Sequence, residues 1–421
     1  MKLTNEPVGC YVDVTLKDVL TVRNELWRLR EWVKIVNEIS AEFSLENQEI
    51  RCYYRSGHND SLWEGIYIMV DAKQKALMRE YYLKALEQDT AQLAELSSTA
   101  LSTNYPEEPE WCIGPFKKEE DMTFRKPGQW RDPLDIGWTG NFIFNCSLIE
   151  ENGKLYMFYR TAPKKESLCS RIGLTVYSAE TGWVDYDRNP VIYPTEENEL
   201  LGCEDPKIYR VGGRYIMFYH GVYYPTAEQK RRYESKDFPV TIATDIKWAE
   251  SNDLLHWEKR GLAVPLEVSR LWAKAAVVPG GPNGDPVKID GEYLMFLSEG
   301  CGGKQAIGRS YDMVNWSFAE QKFLDITGLG YLYEVSCCVA GHKPGKSEMV
   351  LDFYYRSHDG NNAGAQALYD TAEPFAQKAL NIGASLSWGG LIQYNGKWMF
   401  GQGWDAPPMT PEMYFYSAEV K

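Results

Sequence analysis

The chain has 421 residues and a formal net charge of −14 at pH 7, with 59 acidic side chains against 45 basic ones. That balance argues against a nucleic-acid partner or an anionic membrane surface, either of which needs a basic stripe. No window of about 18 apolar residues appears, and the N-terminus MKLTNEPVGCYVDV lacks the apolar core of a signal peptide, so a soluble, cytoplasmic protein is expected.

Nine cysteines, with Cys337 and Cys338 adjacent, and five histidines show no Cys-x-x-Cys or His-x-x-x-His spacing. Reduced, mostly buried thiols fit this pattern; a disulfide framework, a metal site or a cofactor is not expected. The chain is rich in Trp and Tyr, residues that stack on sugar faces and also serve as ordinary packing.

In residues 1–105, Val22, Leu26, Leu29, Val33 and Val36 recur at helical spacing, and 72–96 is a second stretch of good helix formers. Between them IRCYYRSG (50–57) and GIYIMV (65–70) read as a strand pair. A small, mainly α (α+β) appendage is expected here, packed on the main domain or on a sister subunit, so a homo-oligomer through these helices is a possible arrangement. Two prolines and acidic residues over 104–109 mark the boundary.

From 106 to 421 a turn of Asn/Asp/Gly/Ser type followed by a charged residue and an aromatic-rich run appears five times: NGKLYMFYR (152–160), GGRYIMFYH (212–220), DGEYLMFLS (290–298), KSEMVLDFYY (346–355) and NGKWMFGQG (395–403). Each reads as the second strand of a hairpin. A second signature, a strand and a polar turn ending in an aromatic, follows four of them: GLTVYSAETGW (173–183), KWAESNDLLHW (247–257), IGRSYDMVNW (307–316) and, more weakly, AGAQALYDTAEPF (363–375). One unit repeated five times around an axis predicts an all-β, five-bladed β-propeller. The stretch 115–133 reads as a lead-in to the first unit, and the long polar segment 221–239 as a loop over one face.

A propeller carries its chemistry where the innermost strands begin, at the channel mouth. The sharpest such feature is LGCEDPKIYRVGGRYIMFYHG (201–221), in which Glu204, Asp205 and Pro206 immediately precede a strand. A carboxylic acid there can protonate a leaving-group oxygen if apolar surroundings raise its pKa. Asp-Pro is also a plain strand opener.

Together with FIFNCSLIEENGKLYMFYR and SRIGLTVYS, this segment resembles the first two blades of glycoside hydrolase family 130, the mannoside phosphorylases and β-mannosidases, which are five-bladed propellers. The likeness is good over 142–219, gapped as far as Asp405, and absent from the first hundred residues. It implies an oligosaccharide substrate, Asp205 as proton donor in an inverting reaction, and Asn145, Arg160 and Arg171 lining the sugar subsite. Glu204 and Lys207 flank the donor in the same motif. Asp359 falls where an aspartate meets the mannose hydroxyls, and Lys274 matches a lysine near the phosphate or +1 site.

Two departures bear on the nucleophile. Asp245 and Ser298 stand where the family's phosphorylases carry an arginine and a histidine, and neither replaces a cation around phosphate. Hydrolysis with inversion is therefore favoured over phosphorolysis. It requires a second carboxylate about 6.5–9.5 Å from the acid, for which Glu299 and Glu334 are the candidates. Alternatives are a mannoside phosphorylase, a furanosidase of the family 43/32 type using Asp132 or Asp135, and a carbohydrate-binding propeller without catalysis.

Overall fold

The computed structural model describes residues 50–55, 62–67, 70–87, 109–164, 167–360, 362–382, 389–406 and 410–421. By compactness the chain divides into two units, 1–73 and 74–421. In the first, β1 (Ile50–Arg55) and β2 (Leu62–Tyr67) form an antiparallel pair, with Ile50 opposite Tyr67, and β2 begins three residues before the run at 65–70 expected for it. The helix expected around Val22 to Val36 lies outside the described residues.

Helix α1 (Ala72–Glu87) covers the described part of the second predicted helical stretch. It buries Met78, Tyr82 and Ala85; Tyr82 Oη lies 2.8 Å from Thr139 Oγ1, and the Tyr81 ring is 5.2 Å from that of Tyr224. From Gln74 onward the helix thus belongs to the second unit, resting beside the segments that enter blade one and leave the second strand of blade two.

That unit is a five-bladed propeller. Blade one is β5 (Phe142–Glu151), β6 (Lys154–Ala162), β7 (Arg171–Ser178) and β8 (Gly182–Asp185); blade two is β9 (Gly202–Val211), β10 (Arg214–Tyr223), β11 (Ala243–Ser251) and β12 (Glu258–Leu262). Blade three follows with β13 (Ala273–Val277), β14 (Tyr293–Gly300), β15 (Ala306–Ser310) and β16 (Ser317–Glu320), and blade four with β17 (Gly330–Ala340), β18 (Glu348–Ser357), β19 (Asn362–Asp370) and β20 (Ala379–Ile382). Blade five contains β21 (Ile392–Tyr394), β22 (Lys397–Gln402) and β23 (Glu412–Glu419). All pairings within blades are antiparallel, and the five aromatic runs supply the second strand of every blade.

The second signature folds as expected and shows why its residues are used. Ser251 Oγ accepts the N–H of Leu254 at 3.0 Å, Asp253 Oδ1 accepts those of Leu255 and His256 at 2.9 Å, and the Trp257 indole donates to Leu254 O at 3.0 Å. Ser310, Asp312 and Trp316 repeat this turn one blade later. Leu254 and Met313, at φ 67° and 66°, are held left-handed by these bonds.

Two expectations are corrected. The stretch 115–133 is more than a lead-in: β3 (Lys117–Lys118) and β4 (Phe124–Arg125) pair with β23, so blade five takes its outer edge from chain that precedes blade one. The loop after β10 contains a helix, α2 (Ala227–Tyr233), opened by a reciprocal capping box between Thr226 and Gln229.

The apolar core lies between blades. Phe296, Leu351 and Phe353 pack between blades three and four, and Phe158, Leu174 and Met217 between blades one and two. The thiols of Cys146, Cys169, Cys203, Cys301 and Cys338 are buried and form no disulfide.

Candidate active site

The innermost strands share a register break at one level. In blade one an extra residue, Asn145, intervenes between the pairs Phe144 with Arg160 and Cys146 with Tyr159. Blade two has the same break around Asp205, blade three at Ala276 and blade four at Ser336. A bulge interrupts the alternation of side chains and re-aims one of them. Asn145, Asp205 and Ala276 are left-handed, at φ 46°, 53° and 54°. Asn and Asp tolerate this conformation better than most residues, but a residue before proline is ordinarily extended. Asp205, followed by Pro206, is therefore a strained position.

The carboxylate this presents is fully engaged. Asp205 Oδ1 accepts from Asn145 Nδ2 at 2.7 Å and Arg160 Nη1 at 3.2 Å; Oδ2 faces His220 Nδ1 at 3.1 Å and Lys274 Nζ at 2.8 Å. Glu204 shares the cations, its Oε1 2.7 Å from Lys274 Nζ and its Oε2 2.7 Å from Arg160 Nη2. All six side chains are buried. Burial alone would raise the Asp205 pKa, but Lys274 and Arg160, with the His220 hydrogen bond, outweigh it and hold the carboxyl well below the usual range. Burial, aided by Lys274, lowers His220 to about 4, so its imidazole is neutral. The sequence expectation of an acid with a raised pKa is thus reversed: the second blade's apolar wall is replaced by ammonium and guanidinium groups.

Glu204, Asp205 and His220 also place ligand-type atoms within 4.8 Å of one another. Lys274 Nζ lies between the two carboxylates, so the ammonium already holds the position a metal cation would take.

The other predicted residues surround this cluster. Arg160 Nε donates to Ser170 Oγ at 2.7 Å, and Arg171 Nη1 to Ser170 O at 3.0 Å. Arg171 is buried against the Trp138 ring, and its Nε finds no partner among the described residues. Lys207 Nζ crosses to Ser336 O in blade four at 2.7 Å; burial lowers its pKa against the pull of Glu334. Glu334 is buried on β17, receives Tyr354 Oη at 3.4 Å, and also acts on Lys274. Asp359 lies on the exposed β18–β19 turn, where it accepts a hydrogen bond from Ser357. Glu299 belongs to β14, but its side chain lies outside the described residues.

Sequence reasoning missed two members of the site. His220 occupies in blade two the register position of Arg160 in blade one, each the last residue of its aromatic run, and that alignment was a usable signal. Trp404, from the rim after β22, donates its indole N–H to Asn145 Oδ1 at 2.6 Å with its ring 5.1 Å from Phe144; no local pattern marked it.

The two departures find structural explanations. Ser298 Oγ accepts the N–H of Val335, tying blade three to blade four at 3.0 Å. Asp245 is buried beside Asn198, whose amide it accepts at 3.2 Å, and burial pushes its pKa up to about 6. Asp132, the furanosidase alternative, spends its carboxylate on the N–H groups of Leu134, Ile136 and Trp138.

Comparison with known proteins agrees with the fold. Residues 119–328 match the family model of the glycoside hydrolase 130 type, described as β-1,4-mannooligosaccharide phosphorylase. The chain belongs to glycoside hydrolase family 130. Members of the family are glycoside phosphorylases or hydrolases. A 1,2-β-oligomannan phosphorylase of Thermoanaerobacter sp. (strain X514) is 29% identical over 168 residues, 38% of this chain and 47% of that one. A β-1,2-mannobiose phosphorylase from the same strain is 25% identical over 174 residues, 38% and 48% of the two chains. This family 130 chain thus spans about half the length of the curated relatives it matches. Its fold is shared with a putative glycoside hydrolase from Bacteroides ovatus ATCC 8483 (TM-score 0.55, 19% identity, 74% of this chain and 99% of that one). It is likewise shared with the β-1,2-mannobiose phosphorylase of Listeria innocua (TM-score 0.51, 14% identity, 72% and 97%).

Proposed function

We propose that this family 130 member cleaves β-mannosides or related oligosaccharides with inversion, with Asp205 passing a proton to the glycosidic oxygen and water as the nucleophile. The observation that carries the reading is the strained, buried Asp205 at the channel level where bulges from four blades coincide. At rest the carboxylate is anionic. To act as an acid it must take up a proton and shed a donor, and Lys274, already divided between Asp205 and Glu204, can move onto Glu204 without becoming unpaired.

Support for water comes from Asp245, a carboxylate that accepts from Asn198 and cannot attract phosphate, from Ser298, whose uncharged hydroxyl stands in place of a cation, and from Glu334, a buried carboxylate close enough to Lys274 to affect it. An anion there disfavours phosphate and suits a base. Phosphorolysis is the second reading: four buried cations, Arg160, Arg171, Lys207 and Lys274, stand against the three carboxylates Glu204, Asp205 and Glu334, and the curated relatives are phosphorylases.

A panel of β-mannosides with and without inorganic phosphate, analysed for products, tests both. Free sugar at a phosphate-independent rate is expected, and Asp205→Asn should lose roughly 10²–10⁴-fold in kcat while retaining sugar binding. A sugar 1-phosphate as main product would transfer the assignment to phosphorolysis. Binding without cleavage of any glycoside would leave a carbohydrate-binding propeller.

A further inference from the structure

The Trp404 indole is half-buried at the rim, supplied by blade five, and reaches Asn145 in blade one. Asn145 in turn reaches Asp205 in blade two. An indole N–H can only donate, so the Asn145 atom facing it must be the carbonyl oxygen. An ionised carboxylate can only accept, so the atom facing Asp205 must be the amide nitrogen. The two demands agree, and only one orientation of the amide meets both.

We propose that Trp404 is a positioning residue: its N–H locks the Asn145 amide with Nδ2 on Asp205, so that the blade-five rim governs how readily this carboxylate accepts a proton. Were the amide free to turn, it would present Oδ1 to a protonated Asp205 and accept its O–H, favouring the neutral form. With Trp404 in place that exchange is barred. A glycoside arriving at the rim meets the indole before it meets Asp205, and drawing the N–H away releases the amide to accommodate the acid form. The proton itself comes from solvent. The locking role stands on geometry alone; its value to turnover rests on Asp205 being the proton donor.

The other charged or titratable groups facing Asp205 are Arg160 from β6, His220 from β10, Lys274 from β13 and the neighbouring Glu204 on β9. Lys207 and Glu334 lie beyond them. None of these is touched by a change at position 404 that keeps an aromatic ring, so a shift at Asp205 isolates the amide.

The test follows the Asp205 carboxyl by carbon NMR in the full chain labelled at the aspartate side-chain carboxyl, with the signal assigned by its loss in Asp205→Asn. Trp404→Phe keeps a ring against Phe144 and removes the N–H. The Asp205 midpoint should rise by about one pH unit, the scale of one hydrogen bond to a charged group. In an Asn145→Ala background the same change should add nothing, because the amide is gone. An unchanged midpoint in Trp404→Phe, or an equal shift in both backgrounds, would overturn the proposal. If Trp404→Phe folds poorly, benzothienylalanine at 404 replaces only the N–H by sulfur and gives the same reading. The titration needs no turnover, so a chain that proves inactive still decides the positioning role. In an active one, the pH profile of kcat/KM should move with the midpoint.

Discussion

Asp245 and His220, on the adjacent strands β11 and β10 with Asp245 opposite Gly221 and both buried, titrate in opposite senses, and each leaves its mark on stability. The Asp245 pKa is raised from 3.8 to about 6, so the fold binds its proton more tightly than the unfolded chain does. That stabilisation is complete below pH 3.8 and is lost as the pH rises through 6. His220, lowered from 6.5 to about 4, stabilises the fold above pH 6.5 and loses that contribution as the pH falls through 4. Asp245→Asn should therefore raise stability at pH 8 by about 2–3 kcal/mol and give no gain below pH 4, measured by urea denaturation at the two values. The same gain at both would show that charge burial is not what Asp245 costs.

At the scale of elements, the backbone of the channel level depends on close approaches that only glycine permits. Gly300, at φ 97°, ends β14 where an added Cβ would stand 1.9 Å from Trp272 O; Gly213, at φ 82° in the β9–β10 turn, would meet nothing within 4 Å. Gly213→Ala should cost about 1–2 kcal/mol, the left-handed penalty alone. Gly300→Ala carries the clash as well, and should cost about 2 kcal/mol more; equal losses in chemical denaturation would mean that the strand end relaxes freely. The aromatic runs were legible in the sequence because each opens on a tight turn and carries a short apolar pattern, and the Ser-x-Asp turns because their residues hydrogen-bond within a few positions. The bulges were not, since a bulge is defined by the partner strand's register and leaves no mark in one strand's own pattern. The same division applies to the site. Glu204, Asp205, Asn145, Arg160 and Lys274 came through motif resemblance, and the structure brings them together. Trp404 lies 259 residues from Asn145 and meets it only when the ring closes. A raised pKa at Asp205, the condition set by an apolar wall, is not met because the charges that lower it, Arg160 and Lys274, arrive from blades one and three.

Ring closure is the property of the whole molecule, and two devices secure it. The first is the pairing of β3 and β4 with β23. The second is Gln366 in β19, which accepts the N–H of Ile113 at 3.0 Å and donates to its carbonyl at 3.1 Å while also donating to Asp352. Gln366→Leu strands two buried backbone groups, and a loss of about 2–4 kcal/mol is expected. Hydrogen exchange should show that loss spread over blades four and five; confinement to residues near Ile113 would show that the clamp does not hold the ring. The closing strands also impose an order in time. Arg125 waits for Glu412, its ion-pair partner 287 residues later. At a synthesis rate of about 5–20 residues per second, that wait is roughly 15–60 s. Through it Phe116 and Phe124, each almost wholly covered in the finished ring, have no blade-five partners to cover them. The ribosome must therefore deliver the last blade before the first segment is safe, and the nascent chain is at its most vulnerable to aggregation while four-fifths of its architecture is already made.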